Sequence, residues 1–220
     1  TGELRNAGEV LTEPIRERLR WALEVDTVVH VVTEGDRGAG NATQRAPGGQ
    51  LTWRFVASDV RDFAWATSDR YLWDATRAIV PGAEGPRTVV PVHALYRPEA
   101  LTWREAAVYT RHALTFHAER WHPYIYPQIT SVEGPVGGME YPMVSFVAAF
   151  PDPLTLYTVI NHEVAHQWWP MMVGNNEASF AWMDEGLDTY IENLATADLF
   201  PDVDPWRDDM QRYMAVAGRE

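Results

Sequence analysis

The 220-residue chain has no cysteine, no lysine and no apolar run long enough to cross a membrane. Without cysteine there is neither a disulfide framework nor thiol chemistry, and the redox compartment stays open. Every basic residue is an arginine, which reads as a coding bias rather than as chemistry. Positive charge is scarce: 18 basic residues face 31 acidic ones, a net charge of −13, which argues against nucleic acid as a partner. No signal peptide, internal repeat or low-complexity segment is evident. The chain opens at Thr1 without an initiator methionine and reads as a piece of something longer. What is abundant is apolar and aromatic: 46% hydrophobic residues, 12% aromatic and ten tryptophans. That is enough for one large domain or two small ones.

The most informative stretch is Val159-Ile-Asn-His-Glu-Val-Ala-His-Gln-Trp-Trp169. His162 and His166 are four apart, so on a helix they project from one face, one turn apart. Two neutral imidazoles so placed can hold a zinc ion. Glu163 follows the first histidine and points slightly round the helix, where it can serve as the base of metal-assisted hydrolysis without being a ligand. Asp152-Pro153 supplies an N-cap and a first-turn proline, and Pro170 is expected to end the helix. The bland alternative is a pair of core histidines on an apolar helix.

A catalytic zinc needs three protein ligands and one open position. The stretch from Phe180 to Glu192 reads as a second helix offering Glu185, with 18 residues between it and His166. Glu192 lies two turns further along the same face and could orient a ligand histidine. Asp188 competes for that role, although a solvated helix charge is the reading favoured for it.

His162-Glu163-x-x-His166, the 18-residue gap and Glu185 in Trp182-Met-Asp-Glu-Gly186 resemble the zinc aminopeptidases of the gluzincin group, the family of alanyl aminopeptidase and leukotriene hydrolase. Gly137-Gly-Met-Glu-Tyr-Pro142 is similar to that family's Gly-x-Met-Glu-Asn exopeptidase loop. The resemblance implies one zinc per chain on His162, His166 and Glu185, with Glu163 as base. It also implies that Glu140 binds the substrate's free α-amino group while the backbone at Gly137 and Gly138 aligns the peptide. A carboxylate there rewards a cationic amine and rejects chains that continue past it. Tyr141 stands where the family usually carries asparagine, a departure that touches substrate geometry. The family's oxyanion tyrosine has no match in Tyr190 or Tyr213 and is expected beyond Glu220. A chain ending here is therefore expected to take up zinc and turn over slowly.

The rest of the chain is read more coarsely. Residues 1–60 read mostly as strand, with 27–33 and 51–57 separated by a Gly/Asn/Pro-rich loop. His30 is placed in a core or edge strand. Residues 61–68 continue in β fashion. By resemblance, this is where the end of an N-terminal β-domain (1–60) gives way to a catalytic domain (61–220), truncated at its C-terminal end. Thr88–Tyr96 is a strand whose His93 is structural. Thr102-x-x-Glu105 is a capping box for a helix over 103–121, whose His112 and His117 stay unassigned. Strands over 124–133 and 143–150 flank the Gly137–Pro142 loop, and an edge strand there could accept a peptide in extended form. Asp204-Pro205 starts a last helix, with Asp208, Asp209 and Glu220 on a solvated face.

The expected class is α+β, a thermolysin-like catalytic domain preceded by the end of a β-sheet domain. The activity implied by the resemblance is removal of N-terminal residues from peptides by metal-activated water. The implied partner is a peptide with a free N-terminus, with no nucleic acid and no membrane span. Two other classes stay open: a non-peptidase zinc hydrolase on the same scaffold, acting for example on an epoxide, and a non-catalytic binding relative.

Overall fold

Six strands form the main sheet, and their order puts the two halves of the expected site at one edge. The computed structural model describes residues 1–218. In chain order the strands and α-helices are β1 (Glu3–Leu4), α1 (Ala7–Val10), α2 (Glu13–Ala22), β2 (Val29–Val32), β3 (Phe55–Val56), β4 (Leu72–Gly82), β5 (Gly85–Tyr96), α3 (Ala106–Arg120), β6 (Ile129–Glu133), β7 (Gly138–Tyr141), β8 (Val144–Val147), α4 (Pro153–Ala165), α5 (Glu185–Leu199) and α6 (Pro205–Val216). The sheet runs β2-β4-β5-β6-β8-β7, while β1 pairs with β3 separately. The mixed α+β class expected from the sequence is what the chain adopts.

β4 and β5 form a long antiparallel ribbon from Leu72↔Tyr96 to Val80↔Thr88. β6 then runs parallel to both β5 and β8. Parallel neighbours need a crossover, and α3 supplies the one between β5 and β6. β7 and β8 close as a hairpin in which Tyr141 faces Val144, leaving Pro142-Met143 as a two-residue connection. That order makes β7 an edge strand beside α4.

One face of the sheet is covered by α3 and α4. Val92 and Ala94 of β5, Ile129 of β6, Leu114 of α3 and Leu156, Ile160 and Val164 of α4 share a core with Trp103 and Trp168. Each large side chain so buried contributes about 1.5–3 kcal/mol relative to exposure. Ala106, Ala107, Ala113 and Ala118 are also buried; with no side chain beyond Cβ, they let α3 lie close to its neighbours. A second, smaller core forms where Ile15 and Ala22 of α2 meet Val31, Val32 and Ala75.

Several local expectations are corrected. Residues 1–60 contain a ten-residue helix, α2, and only short strands. Ile15, Leu19 and Ala22 recur at helical spacing, and Pro14 sits in the first turn, so turn chemistry and a 3.6-residue period outweigh strand propensity there. The main sheet crosses residue 60, because β2 pairs with β4. Residues 61–68 form no strand. The capping box at Thr102 does not form either: the Thr102 hydroxyl donates to the Phe150 carbonyl at 2.6 Å, and a 3-10 turn over Leu101–Glu105 leads into α3. His30 lies on the edge strand β2 and pairs with buried Asp74, and His93 accepts from the Trp73 indole. On α6, Asp208 is exposed, whereas Asp209 accepts from Asn193 at 2.6 Å. Glu220 lies outside the described residues.

Helices α3, α4 and α5 are tied together by polar contacts, the Asn161 pair among them buried. His112 touches the Tyr157 hydroxyl and Asp198, bridging all three. Asn161 donates to the Glu192 carbonyl at 2.8 Å, which turns its amide oxygen toward His117 Nε2, also at 2.8 Å. His117 therefore donates from Nε2, and its buried Nδ1 has no partner. Burial, only partly opposed by the Asn161 bond, pulls the His117 pKa from 6.5 down to about 4.

A folded-state value below the unfolded one means that this stabilisation is complete above pH 6.5 and is lost as the pH falls through about 4. At pH 5 the loss amounts to about 2 kcal/mol. His117→Gln keeps a donor for Asn161 but cannot titrate. Urea midpoints at pH 7 and pH 5 should therefore fall less in the variant than in the wild type. Equal falls would mean that His117 does not drive acid destabilisation.

Candidate metal centre

Helix α4 starts where its sequence predicts. Asp152 accepts from the Thr155 amide at 2.7 Å, and Pro153 takes the first helical position. The helix ends at Ala165, earlier than Pro170, with His166 as its C-cap. Trp169 is extended (φ −130, ψ 117), as a residue before proline tends to be. Its carbonyl lies 2.7 Å from His166 Nδ1. Beyond a 3-10 turn over Ala181–Met183, α5 begins at Glu185.

The ring nitrogens can be assigned from their neighbours. His162 Nδ1 lies 2.9 Å from Glu192 Oε2 and 3.0 Å from Asp188 Oδ2. A carbonyl and a carboxylate only accept, so each histidine carries a proton on Nδ1. The two Nε2 lone pairs then face each other at 3.1 Å. Glu185 Oε2 joins them, 3.2 Å from His162 Nε2 and 3.8 Å from His166 Nε2. Three lone-pair donors within 4.8 Å of one another repel unless positive charge sits among them. Two imidazoles and a carboxylate are also the donor set of a catalytic zinc with one position left open. The residues fit the ion.

The titration of the cluster records how much negative charge is gathered round the two rings: with no metal ion present, a proton on His162 supplies the positive charge. Burial alone would lower His162, but hydrogen bonds to Glu185 and Glu192 and the charge of Asp188 outweigh it and push the pKa up to about 12. His166 is shifted down, by burial and then by the charge on His162. Glu163 is 4% exposed with Oε2 unpartnered. Burial raises its pKa to about 8; His162 opposes that shift, while Glu140 and Glu185 add to it.

The Gly-Gly-Met-Glu motif is not a loop but the edge strand β7. It packs against α4 so closely that a Cβ on Gly138 would collide with Glu163 Oε1 and lie 3.2 Å from Val159 Cγ1. A Cβ on Gly137 meets nothing within 4 Å, so sterics give no reason for glycine there. Glu140 is half-buried, and burial raises its pKa. One of its carboxylate oxygens lies within 4.8 Å of ligand-type atoms on His166 and Asp184.

Sequence reasoning missed three groups. Asp188 is 0% exposed rather than solvated, and among the described residues its oxygens make ion-pair contacts with the His162 and His166 rings, at 3.0 and 3.6 Å, but no hydrogen bond. Its spacing of three from Glu185 already put it on the ligand face. Asp184 is buried with Oδ1 3.3 Å from His166 Nδ1. Gln167, next to a ligand histidine, is 1% exposed. No local sequence signal marked the last two, because both roles depend on segments distant in the chain.

Two histidines at the end of α4, a glutamate opening α5 and the buried carboxylate of Glu163 are the groups that metal-assisted hydrolysis uses. Residues 123–218 match the family described as the peptidase family M1 domain. The chain is 30% identical to leukotriene A-4 hydrolase of Xenopus laevis over 64% of its length and 24% of the relative. It is likewise 30% identical to leucine aminopeptidase 2 of Candida glabrata over 70% of its length and 24% of the relative. It thus spans about a quarter of these curated relatives. The crystal structure of an M1 zinc metallopeptidase from Deinococcus radiodurans aligns with 66% of this chain and 33% of that one, at 21% identity and a TM-score of 0.44.

Proposed function

We propose that this chain carries the catalytic zinc site of an aminopeptidase, which removes N-terminal residues from peptides with a free amino group. The observation that carries the reading is the convergence of the two bare Nε2 atoms, 3.1 Å apart, with the Glu185 carboxylate. His162, His166 and Glu185 would hold a single zinc ion. When bound, it would polarise the scissile carbonyl and acidify the attacking water. Glu192 would keep the His162 ring in register through its Nδ1 contact. Glu163, a buried carboxylate whose pKa is raised toward neutrality, would take the proton from water and pass it to the leaving amine. The free edge of β7 would let a peptide add itself in extended form along Gly137 and Gly138. Glu140, at the far end of that strand, would receive the substrate ammonium.

A second reading rests on the similarity to leukotriene A-4 hydrolase: a non-peptidase hydrolase would use the same metal residues. Parallel assays with an aminoacyl amide and an epoxide substrate separate the two. The metal assignment has its own test. Zinc per chain, measured by atomic spectroscopy after dialysis, should be about one in the wild type. It should fall close to zero in His166→Ala and in Glu185→Ala. Undiminished zinc in either variant would remove that residue from the ligand set.

A further inference from the structure

Gln167 follows a proposed zinc ligand directly in sequence, yet its side chain turns toward the opposite strand. Its Nε2 donates to the Tyr141 carbonyl at 3.0 Å, and its Oε1 accepts from the Met143 amide at 2.8 Å. The two partners fix the orientation of the amide, since a carbonyl only accepts and a backbone N–H only donates. Both ends of one buried side chain thus hold the connection that ends β7, two residues from Glu140. This connection needs holding. Pro142 is followed by Met143 at φ +66, the pattern of a type II turn whose second central residue is normally glycine. A methionine in that region is strained by about 1 kcal/mol or more and persists only where its surroundings over-determine it. Gln128, at 3.3 Å, and Thr130, at 2.9 Å, grip the Met143 carbonyl from the sheet side. Gln167 alone among the described residues reaches the turn from the ligand helix side through its side chain.

We infer that Gln167 is a positioning residue that sets where Glu140 stands relative to the His162/His166 pair, and so where the peptide's amino terminus stops. An exopeptidase must hold the ammonium group one residue from the carbonyl it cleaves, and a misplacement on the order of 1 Å can cost ~10²-fold. The inference rests on the aminopeptidase reading above, with Glu140 as the ammonium site.

Gln167→Met keeps the volume and removes both hydrogen bonds. In the zinc-loaded protein, binding of leucine amide and of N-acetyl-leucine amide is measured by titration calorimetry. Exchange of the Met143 amide is followed alongside, as is KM against kcat on an aminoacyl amide. The expected result is unchanged zinc content, faster exchange at Met143 and roughly tenfold weaker binding of the free amine. The acetylated ligand should be unaffected, and the kinetic loss should lie mainly in KM. Gln167→Glu keeps the acceptor for Met143 but not the donor for Tyr141, and should fall between the two. If the methionine variant does not fold, the isosteric glutamate variant carries the same comparison. Equal weakening of both ligands, loss of zinc, or unchanged exchange at Met143 overturns the inference. Glu140→Ala runs beside it as a control. If that variant fails to discriminate the two ligands, the aminopeptidase reading itself falls. If it discriminates and the Gln167 variants do not, only the positioning role falls.

Discussion

Glu163→Gln should lower turnover of an aminoacyl amide by at least ~10²-fold while leaving the zinc content unchanged. The substitution preserves shape and removes only the ability to take a proton. The site has little room for a substitute base to approach: Glu163 is 4% exposed, and its Oε1 occupies the space that a Cβ on Gly138 would fill. Its Oε2 is buried and has no hydrogen-bond partner among the described residues. Rates should be compared at matched zinc content, so that a metal defect is not mistaken for a chemical one. A glutamine variant that hydrolyses substrate at the wild-type rate would show that the proton goes elsewhere.

Glu140→Ala should be selective where Glu163→Gln is general. A charge-assisted pair between a carboxylate and an ammonium group contributes about 1.5–3 kcal/mol, a factor of roughly 10–100 in kcat/KM for free-amine substrates. Amino-blocked substrates never make that contact, so their already low rates should stay within about twofold. The half-buried setting of Glu140 makes the contact stronger than an exposed pair. Parallel losses on both substrate types would place Glu140 among structural residues and remove the basis for exopeptidase selectivity.

Both predictions draw on residues that could be picked out before any fold was known: Glu163 because its spacing from the histidines encodes geometry, Glu140 because its motif resembles a family loop. His162 and His166 are one helical turn apart, and Asp152-Pro153 marks where that turn structure begins. Glu185 also stood out, since its 18-residue distance from His166 and the Trp182–Gly186 motif resemble those of the zinc aminopeptidases. Other features were illegible for identifiable reasons. The Gly-Gly-Met-Glu run looks like a turn in sequence, and only pairing with β8 makes it an edge strand. Asp188 looks like an exposed helix charge until α5 packs against α4 and buries it. α2 was readable in principle from Ile15, Leu19 and Ala22, but the valine-rich stretch that follows invited a strand reading for the whole region.

By itself the amino-acid sequence determined the chemistry available to this protein. It supplies two imidazoles and a base in helical register and a further carboxylate on a second helix, with neither thiols nor a cationic surface. That much is local, because the periodicity of a helix converts sequence spacing directly into side-chain direction. Tertiary structure alone decided which nitrogen of each histidine is left bare, by bringing Glu192, Asp188 and the Trp169 carbonyl to the Nδ1 side. It also decided that β7 passes over Glu163 and that Gln167 ties the strand's end to the ligand helix. Apart from the His166–Trp169 contact, which spans three positions, these contacts join residues about 20–30 positions apart, and partners at such separations are set by how the elements pack, which no local pattern encodes.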